Sequence, residues 1–199
     1  MKILIATTNE GKYKEMIHTL ADLPFEFLSL KDLNTEIKDP EETEDTLEGN
    51  ALLKARYYGD KTGLVTISED TGLFAGALDG WPGVRAARVS TTDDGRLETL
   101  LKEMEGIKKE NRHAEFKTSC VCYNPTNGNT MITEGIVKGE ILETASESRD
   151  IAFGYNPVFY VPEIGKVFSE MTLQEKNSIS QRGKAIKKMA YHLDREFAA

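Results

Sequence analysis

Short apolar runs alternate with amphipathic helical segments through the first third of this chain, and that alternation constrains the fold more than any other feature. Residues 2–6 predict a buried strand, and the turn Thr7–Gly11 that follows is rich in residues that cap helices. After the first helix, a strand at 25–30, a helix at 46–58 and a strand at 64–68 repeat the pattern. Strands that alternate with helices in this way are typical of α/β proteins.

The remainder of the chain is richer in strands. We expect a helix at 94–106, a final amphipathic helix at 180–197, and strands at 114–123, 129–137, 138–144 and 158–161. We expect turns at 69–72 and 80–83, and loops at 36–45 and 150–157. No repeat or linker interrupts residues 1–199, so the pattern predicts one α/β domain with a mixed sheet.

The net charge of −8 argues against a nucleic acid or an anionic membrane as partner. The apolar run near the start is about five residues long, which is too short for a signal sequence or a membrane span. Cys120 and Cys122 lie two residues apart on a predicted strand and have no zinc-binding spacing. We therefore expect reduced thiols and a cytoplasmic protein.

The turn between the first strand and the first helix is a candidate phosphate site. Backbone N–H groups at a helix start attract anions. Lys12 lies in that first turn, where a cation opposes the helix dipole unless an anion is bound nearby. The alternative is that Thr8 or Asn9 only caps the helix and that Lys12 is solvated.

Four carboxylates, those of Glu41, Glu42, Glu69 and Asp70, make a candidate magnesium site. Magnesium is held in proteins by one or two carboxylates together with water and substrate phosphates. We expect Asp70 at the end of a strand, facing a crevice, where it could also accept a proton from an attacking water. The alternatives are a solvated acidic loop around Glu41 and ordinary turn chemistry at residues 70–72.

Three further groups could bind a nucleotide. Asn50 and Lys54 share one helix face, because they are four residues apart. The segment Phe153–Asn156 offers an aromatic ring and an amide for a base. The stretch from Lys176 and Arg182 on to Lys184, Lys187 and Lys188 is the densest basic stretch of the chain. The alternatives are an exposed helix face, a turn with a core phenylalanine, and a solvated basic face.

Taken in order, these segments resemble the inosine-triphosphate pyrophosphatase (Ham1-type) family over nearly the whole chain. Each motif alone is weak, but the series is specific. It runs Thr8-Asn9-x-x-Lys12, Glu41-Glu42, Thr46-Leu47-x-x-Asn50-Ala51-x-x-Lys54-Ala55, Glu69-Asp70-Thr71-Gly72-Leu73, Gly80-x-Pro82-Gly83-Val84-x-x-Ala87-Arg88, Phe153-Gly154-Tyr155-x-Pro157 and Glu175-Lys176-x-x-x-Ser180-x-Arg182.

The resemblance implies an elongated α/β fold with two lobes, a long mixed central sheet flanked by helices, and an active-site cleft between the lobes. It implies a homodimer. It also implies a magnesium-dependent nucleoside-triphosphate pyrophosphatase that converts ITP, dITP or XTP to the monophosphate and pyrophosphate.

The resemblance also assigns residue roles. Glu41 and Asp70 would hold the magnesium ion, and Asp70 would be the catalytic base. Gly80–Arg88 would be structural or lie at the dimer contact, and we assign it no catalytic role. The substrate-binding residues would be Thr7, Thr8, Asn9, Glu10, Gly11, Lys12, Lys54 and Thr71 at the phosphates, and Phe153, Gly154, Tyr155, Asn156, Lys176, Gln181 and Arg182 at the base and sugar.

Four positions depart from the family pattern. Asn156 stands where Asp is usual, Gln181 where His is usual, Gly49 where Glu is usual, and Ile151-Ala152 where a Gly-Gly pair is usual. Arg182 can only donate, which suits the C6 carbonyl of hypoxanthine and xanthine and not the amino group of adenine. Because Asn156 and Gln181 each offer both a donor and an acceptor, we predict a broadened or altered base preference.

Three other functions remain open at this point. One is a Maf-type nucleotide pyrophosphatase, although the Phe-Gly-Tyr and Ser-x-Arg motifs favour the inosine-triphosphatase kind. Another is a nucleotide-binding sensor without turnover, which the intact Lys12, Glu41 and Asp70 argue against. The last is a protein-interaction module, against which the polar clusters at loop ends argue.

Overall fold

The computed structural model describes residues 1–33, 35, 37–148 and 153–197. Among these residues, eight strands form one mixed sheet in the order β2-β1-β3-β5-β6-β7-β8, with β4 paired to β3. The strands are β1 (Lys2–Ile5), β2 (Glu26–Ser29), β3 (Val65–Ala75), β4 (Pro82–Gly83), β5 (His113–Tyr123), β6 (Thr130–Ile141), β7 (Phe159–Val161) and β8 (Lys166–Val167).

The direction of the strands divides the sheet. β1 pairs in parallel with both β2 and β3, as a strand–helix–strand connection requires. From β3 onward every described pair is antiparallel. The prediction of an α/β fold with a long mixed sheet flanked by helices is confirmed.

Helices cover both faces of this sheet. They are α1 (Glu10–Leu20), α2 (Leu47–Thr62), α3 (Asp93–Glu103), α4 (Leu173–Ile179) and α5 (Gln181–Phe197). The first four begin at side-chain caps from Asn9, Thr46, Thr92 and Thr172, each of which accepts a hydrogen bond from a backbone N–H of the first turn. Short 3₁₀ turns occur at Leu30–Asp32, Gly76–Leu78, Ala86–Arg88, Lys109–Asn111, Asn156–Val158 and Phe168–Glu170.

Two large apolar cores lie at different parts of the sheet. One packs α1 and α5 against β1 and β3, with Ile5, Met16 and Met189 fully buried. The other packs α3 and the segment 153–168 against β5 and β6, around the ring of Phe116. Each half of the sheet therefore has its own core, which agrees with the expectation of two lobes.

Several predicted boundaries are wrong. Residues 69–72 are not a turn, because β3 continues unbroken from Val65 to Ala75 and pairs with β5 over ten positions. Residues 129–144 are not two strands, since β6 runs through 130–141 as one. Pairing with the long β5 stabilises both stretches, and cross-strand pairing is invisible in local patterns. The predictions for residues 36 and 150–152 lie outside the described residues.

Smaller differences from the predictions concern two helices and one turn. α2 extends to Thr62, four residues beyond the predicted end, and stops at Gly63, which has φ of 70°. α4 was missed, although Thr172 and Glu175 form a reciprocal capping box. Residues 80–83, expected as a turn, contain the short strand β4.

Gly135 of β6 places the start of α5 directly on the sheet. A Cβ atom at this position would overlap the backbone carbonyl of Gln181 and crowd the N–H of Ala185. Since α5 carries Gln181 and Arg182 at its first two positions, this close approach fixes their depth in the protein.

Cys120 and Cys122 are both buried free cysteines. Burial raises the pKa of Cys122 to about 12. In the part of the chain that the structure describes, no helix has the length and apolar character needed to cross a membrane.

Candidate active site

A cleft of about 450 Å³ opens where β1, β3, α1 and α2 approach one another. Seven of the residues expected to bind the substrate or the metal line it: Thr7, Thr8, Asn9, Lys12, Glu41, Lys54 and Phe153. Further lining residues are Asp39, Glu42, Tyr58, Glu69, Arg88, Asp93 and Arg96. Its volume lies in the range of small-molecule sites.

The N-terminus of α1 faces this cleft. Asn9 caps the helix by accepting a hydrogen bond from the Lys12 backbone N–H at 2.9 Å. Thr7 Oγ1 accepts from the Asn9 N–H at 3.2 Å, and Thr8 Oγ1 donates to Asp39 at 3.3 Å. The capping function and an anion-binding function coexist here, because the helix dipole and the side chain of Lys12 face the same space.

Lys12 is held in the cleft by a buried carboxylate. Its ammonium lies 2.6 Å from Glu69 Oε1, and the two side chains are 15% and 1% exposed. Burial opposes the charge on Glu69, but Arg182 and Lys12 outweigh it and lower the pKa of that carboxyl. Glu69 is therefore ionised at neutral pH and keeps Lys12 in place.

On the opposite side of the cleft, Lys54 joins two carboxylates. Its ammonium lies 2.5 Å from Glu42 Oε1 and 3.3 Å from Asp70 Oδ1. Burial disfavours the charged ammonium, yet the carboxylates of Asp70 and Glu42 raise the pKa of Lys54 overall. The nearby Lys54 lowers the pKa of Glu42 against the effect of burial.

Asp70 lies in the middle of β3, whereas we expected it at a strand end. Burial raises the pKa of its carboxyl, although Lys54 and Lys12 act in the opposite direction. Its Oδ2 atom is buried and has no hydrogen-bond partner among the described residues. A carboxylate oxygen without a donor beside a substrate-sized cleft is suited to bind a cation or to accept a proton from water.

The charge of the side chains that line the cleft is also compatible with a bound divalent metal ion. Its described lining holds five acidic and four basic side chains, so a polyanionic ligand needs a further cation to bind there. Glu42 and Asp70 offer oxygen ligands, which are the kind that magnesium prefers. No group of three or more acidic, histidine or cysteine side chains within the described residues could hold a metal by itself, so substrate phosphates would have to complete the coordination.

The structure brings Glu42, and not Glu41, beside Asp70. Glu41 lines the cleft but is exposed, whereas Glu42 is partly buried and contacts both Lys54 and Arg88. The role of Glu41 as a metal ligand stays a prediction. Adjacent residues of a loop have no periodicity, so the sequence could not tell which of the two carboxylates turns inward.

Beneath the cleft, a buried group of charges surrounds Arg182. Its guanidinium binds Glu15 of α1 through Nη1 and lies 3.4 Å from Glu69 through Nε. Glu15 also holds Lys176 at 2.9 Å. The pKa of Arg182 is raised, because Glu69 and Glu15 together outweigh the effect of burial.

At the start of α5, two buried side-chain atoms have neither a hydrogen bond nor an ion pair among the described residues. They are Arg182 Nη2 and Gln181 Oε1, both of which are buried. One is a donor and the other an acceptor. A base with a carbonyl oxygen and an N–H on one edge would satisfy both atoms.

The segment 153–156 contributes less to the cleft than we expected. Phe153 lines it, but its ring also packs on Phe116 and Tyr155 in the core. Tyr155 is fully buried, and its hydroxyl donates to the Ala86 carbonyl at 2.9 Å. Asn156 is 2% exposed at the start of a 3₁₀ turn. Within this segment Phe153 lines the cleft, and base binding by Gly154, Tyr155 and Asn156 stays a prediction.

The other predicted residues lie around this centre. Glu10 is exposed and pairs with Lys31. Gly11 and Gly154 are buried, and a Cβ at Gly154 would crowd the carboxylate of Asp93. Thr71 Oγ1 lies 2.6 Å from both Glu69 Oε2 and Thr118 Oγ1, on the sheet face opposite to Asp70.

Sequence reasoning missed Glu15, Arg88 and Arg96. The partners of Glu15 are more than 150 residues away along the chain, which leaves no local signal. Arg88 belongs to a motif for which we expected no catalytic role, yet it lines the cleft beside Glu42.

Known proteins resemble this chain over most of its length. A dITP/XTP pyrophosphatase of a Thermoanaerobacter species is 40% identical over 196 residues, which is 97% of this chain and 96% of that protein. A dITP/XTP pyrophosphatase of Haemophilus influenzae is 42% identical over 93% of this chain and 95% of its own length.

Solved structures agree with the sequence relatives. A HAM1 protein from Coxiella burnetii superposes with a TM-score of 0.86 at 33% identity, covering 98% of this chain and 99% of that one. The model of the Ham1 family matches residues 3–192. This match decides against the Maf-type alternative, and the chain belongs to the Ham1 family.

Proposed function

We propose that this protein hydrolyses purine nucleoside triphosphates with an aberrant base, such as dITP, ITP and XTP, to the monophosphate and pyrophosphate. One observation carries the proposal. A helix N-terminus, two lysines and a buried carboxylate, one oxygen of which has no partner in the described part of the chain, converge at one cleft, and relatives in the family are named dITP/XTP pyrophosphatase.

The phosphates are bound from two sides of the cleft. The N-terminus of α1 and Lys12 bind phosphate oxygens on one side, while Lys54 binds them on the other. Both ammonium groups are already positioned by carboxylates, so little reorganisation is needed when the substrate enters. Electrostatic stabilisation and positioning then supply most of the rate enhancement, as in other phosphoryl-transfer enzymes.

Asp70 is the proposed general base. Its buried Oδ2 accepts a proton from a water molecule, which attacks the α-phosphorus in line with the departing pyrophosphate. Its raised pKa brings the carboxylate nearer to the basicity that proton transfer at neutral pH requires. Lys54 keeps it oriented through the contact at 3.3 Å.

The proposal includes magnesium, with Asp70 as ligand and Glu41 or Glu42 as the second carboxylate. Bound there, the ion would neutralise charge on the triphosphate and on the leaving pyrophosphate. Two observations support this assignment: carboxylates outnumber basic side chains along the described cleft lining, and Asp70 Oδ2 has no hydrogen-bond partner within the residues that the structure describes.

The base is proposed to bind toward Gln181 and Arg182. Arg182 Nη2 would donate to a C6 carbonyl, and facing the amino group of adenine it would stay unpaired at a cost of about 1–3 kcal/mol. Gln181 can both donate and accept, which supports tolerance of more than one base. We therefore keep the prediction of a broadened or altered preference for the base of the substrate.

Product analysis tests the function. Wild-type protein is incubated with magnesium and dITP, ITP, XTP, dGTP or dATP, and the products are separated by anion-exchange chromatography. We expect monophosphate and pyrophosphate, fastest with dITP, ITP or XTP, and turnover by Asp70→Asn that is slower by about 10²–10⁴-fold. Binding of these nucleotides without any turnover by the wild type would instead indicate a nucleotide sensor.

Two wider expectations are proposals as well. We propose a homodimer, which light scattering coupled to size-exclusion chromatography tests. We propose a cytoplasmic location, which the free buried thiols of Cys120 and Cys122 support, because a reducing compartment keeps thiols free.

A further inference from the structure

The segment that carries Arg88 extends from β4 to the cleft. Arg88 ends the 3₁₀ turn Ala86–Arg88, and its side chain lines the cleft. The guanidinium Nη2 atom lies 3.3 Å from Glu42 Oε2. Through Glu42 and then Lys54, Arg88 is connected to Asp70, the proposed general base.

The backbone before Arg88 is fixed by two side chains from elsewhere in the fold. The buried Tyr155 hydroxyl donates to the carbonyl of Ala86 at 2.9 Å. Arg96 Nε donates to the carbonyl of Ala87, also at 2.9 Å. The Phe-Gly-Tyr segment and the start of α3 therefore meet at the two peptide units preceding Arg88.

Among the four basic side chains that line the cleft in the described chain, Arg88 is the most accessible. Its side chain is 39% exposed, against 15% for Lys12, 15% for Lys54 and 20% for Arg96. Arg96 is also committed to the carbonyls of Ala87 and Ser90. Arg88 thus combines a fixed backbone with a guanidinium that is open to a ligand.

We propose that Arg88 is a further substrate-binding residue, which binds the terminal phosphates of the triphosphate and the pyrophosphate that leaves. The inference rests on the proposed function. It follows that Arg88 contributes to the choice of a triphosphate over a diphosphate, because a diphosphate is one phosphate shorter and presents fewer oxygens to it.

Guanidinium chemistry supports phosphate as the ligand. Its planar fork of donors matches two phosphate oxygens at once, which a lysine ammonium does not. In the structure the fork faces a carboxylate, Glu42, that also contacts Lys54. A phosphate tail entering the cleft replaces Glu42 as the partner of Arg88, while Glu42 keeps Lys54.

The test compares Arg88→Ala, Arg88→Lys and the control Arg85→Ala. Arg85 lies three residues earlier, is 75% exposed, and contacts only the exposed Asp45, at 3.7 Å, among the ion pairs that the structure describes. Pyrophosphate binding is measured by isothermal titration calorimetry without nucleotide. Steady-state kinetics with dITP and dIDP, and inhibition by dIMP, are measured in parallel.

For Arg88→Ala we expect pyrophosphate affinity and kcat/KM for dITP to fall by about 10- to 100-fold, as for loss of a charge-assisted hydrogen bond. Inhibition by dIMP and turnover of dIDP should change much less. Arg88→Lys should give intermediate values, because it keeps the charge and loses the fork. Arg85→Ala should match the wild type, which separates a specific contact from a general loss of positive charge.

Unchanged pyrophosphate affinity in Arg88→Ala, together with a wild-type ratio of dITP to dIDP turnover, would overturn the assignment. So would an equal loss in Arg85→Ala. If the wild type fails to cleave dITP, the proposed function is wrong, but the calorimetric comparison still decides whether Arg88 binds pyrophosphate.

Discussion

Removing the carboxylate of Glu15 should destabilise the protein severely, although Glu15 lies outside the cleft. Glu15 is 4% exposed on α1 and is the partner of two buried cations, Arg182 and Lys176. Replacing it by alanine leaves both cations without this counter-charge. Arg182 keeps only Glu69, at the longer distance of 3.4 Å, as its ion-pair partner among the described residues.

The size of the effect follows from the burial of the group. Breaking a buried ion pair by removing one partner costs about 3–5 kcal/mol, because the remaining charge stays in a poorly solvated environment. In a chain of this length, each kcal/mol shifts the melting temperature by about 2–4 °C, so Glu15→Ala should melt roughly 6–20 °C lower. Glu15→Gln keeps some hydrogen bonds and should fall between this variant and the wild type.

Differential scanning calorimetry measures the shift, and Glu10→Ala is the matched control. Glu10 lies on the same helix, but its pair with Lys31 is exposed to solvent, so its removal should leave the melting temperature close to that of the wild type. Equal melting temperatures for Glu15→Ala and Glu10→Ala would refute the view that the buried charge group holds α1, α4 and α5 together.

Three more substitutions and one pH profile of the wild type test other parts of the account. Asp70→Asn should lower kcat by about 10²–10⁴-fold, without loss of folding by circular dichroism; retention of a near wild-type rate would remove Asp70 as the base. Since burial raises the pKa of Asp70, wild-type kcat should fall with decreasing pH at a pH above that of an ordinary aspartate, and a flat acid limb would contradict this. Asn156→Asp should change the relative turnover of ITP, XTP, dGTP and dATP, and identical profiles would refute the predicted base preference. Gly135→Ala should destabilise the protein by about 1–3 kcal/mol or more, because the added methyl overlaps the Gln181 carbonyl; a wild-type urea midpoint would contradict that packing.

The sequence predicted the parts of the fold that depend on local patterns. The first strand and the final amphipathic helix lie within one residue of their expected bounds, and the first helix follows the turn that was expected to cap it. The strand boundaries that were predicted wrongly belong to strands whose partners lie far away along the chain. β3 continues through Glu69 and Asp70 because ten of its residues pair with β5, which begins about forty residues later in the chain.

The predictions for the candidate site also succeeded where they depended on regular elements and failed where they depended on loops or distant contacts. The resemblance placed Thr7, Lys12, Lys54 and Asp70 at one site, and the structure brings these side chains together, because each comes from the end or face of a regular element. The sequence could not predict that Glu42 turns inward, since the loop before α2 has no periodic pattern. It also could not predict that Tyr155 supports the segment before Arg88, a contact across 69 residues.

The position of the attacking oxygen tests the central claim most directly. Wild-type protein hydrolyses dITP in water enriched in ¹⁸O, and mass spectrometry locates the label in the products. If Asp70 directs water at the α-phosphorus in this cleft, the label appears in dIMP and the pyrophosphate stays unlabelled. Label in pyrophosphate, or release of dIDP with orthophosphate, would contradict the account.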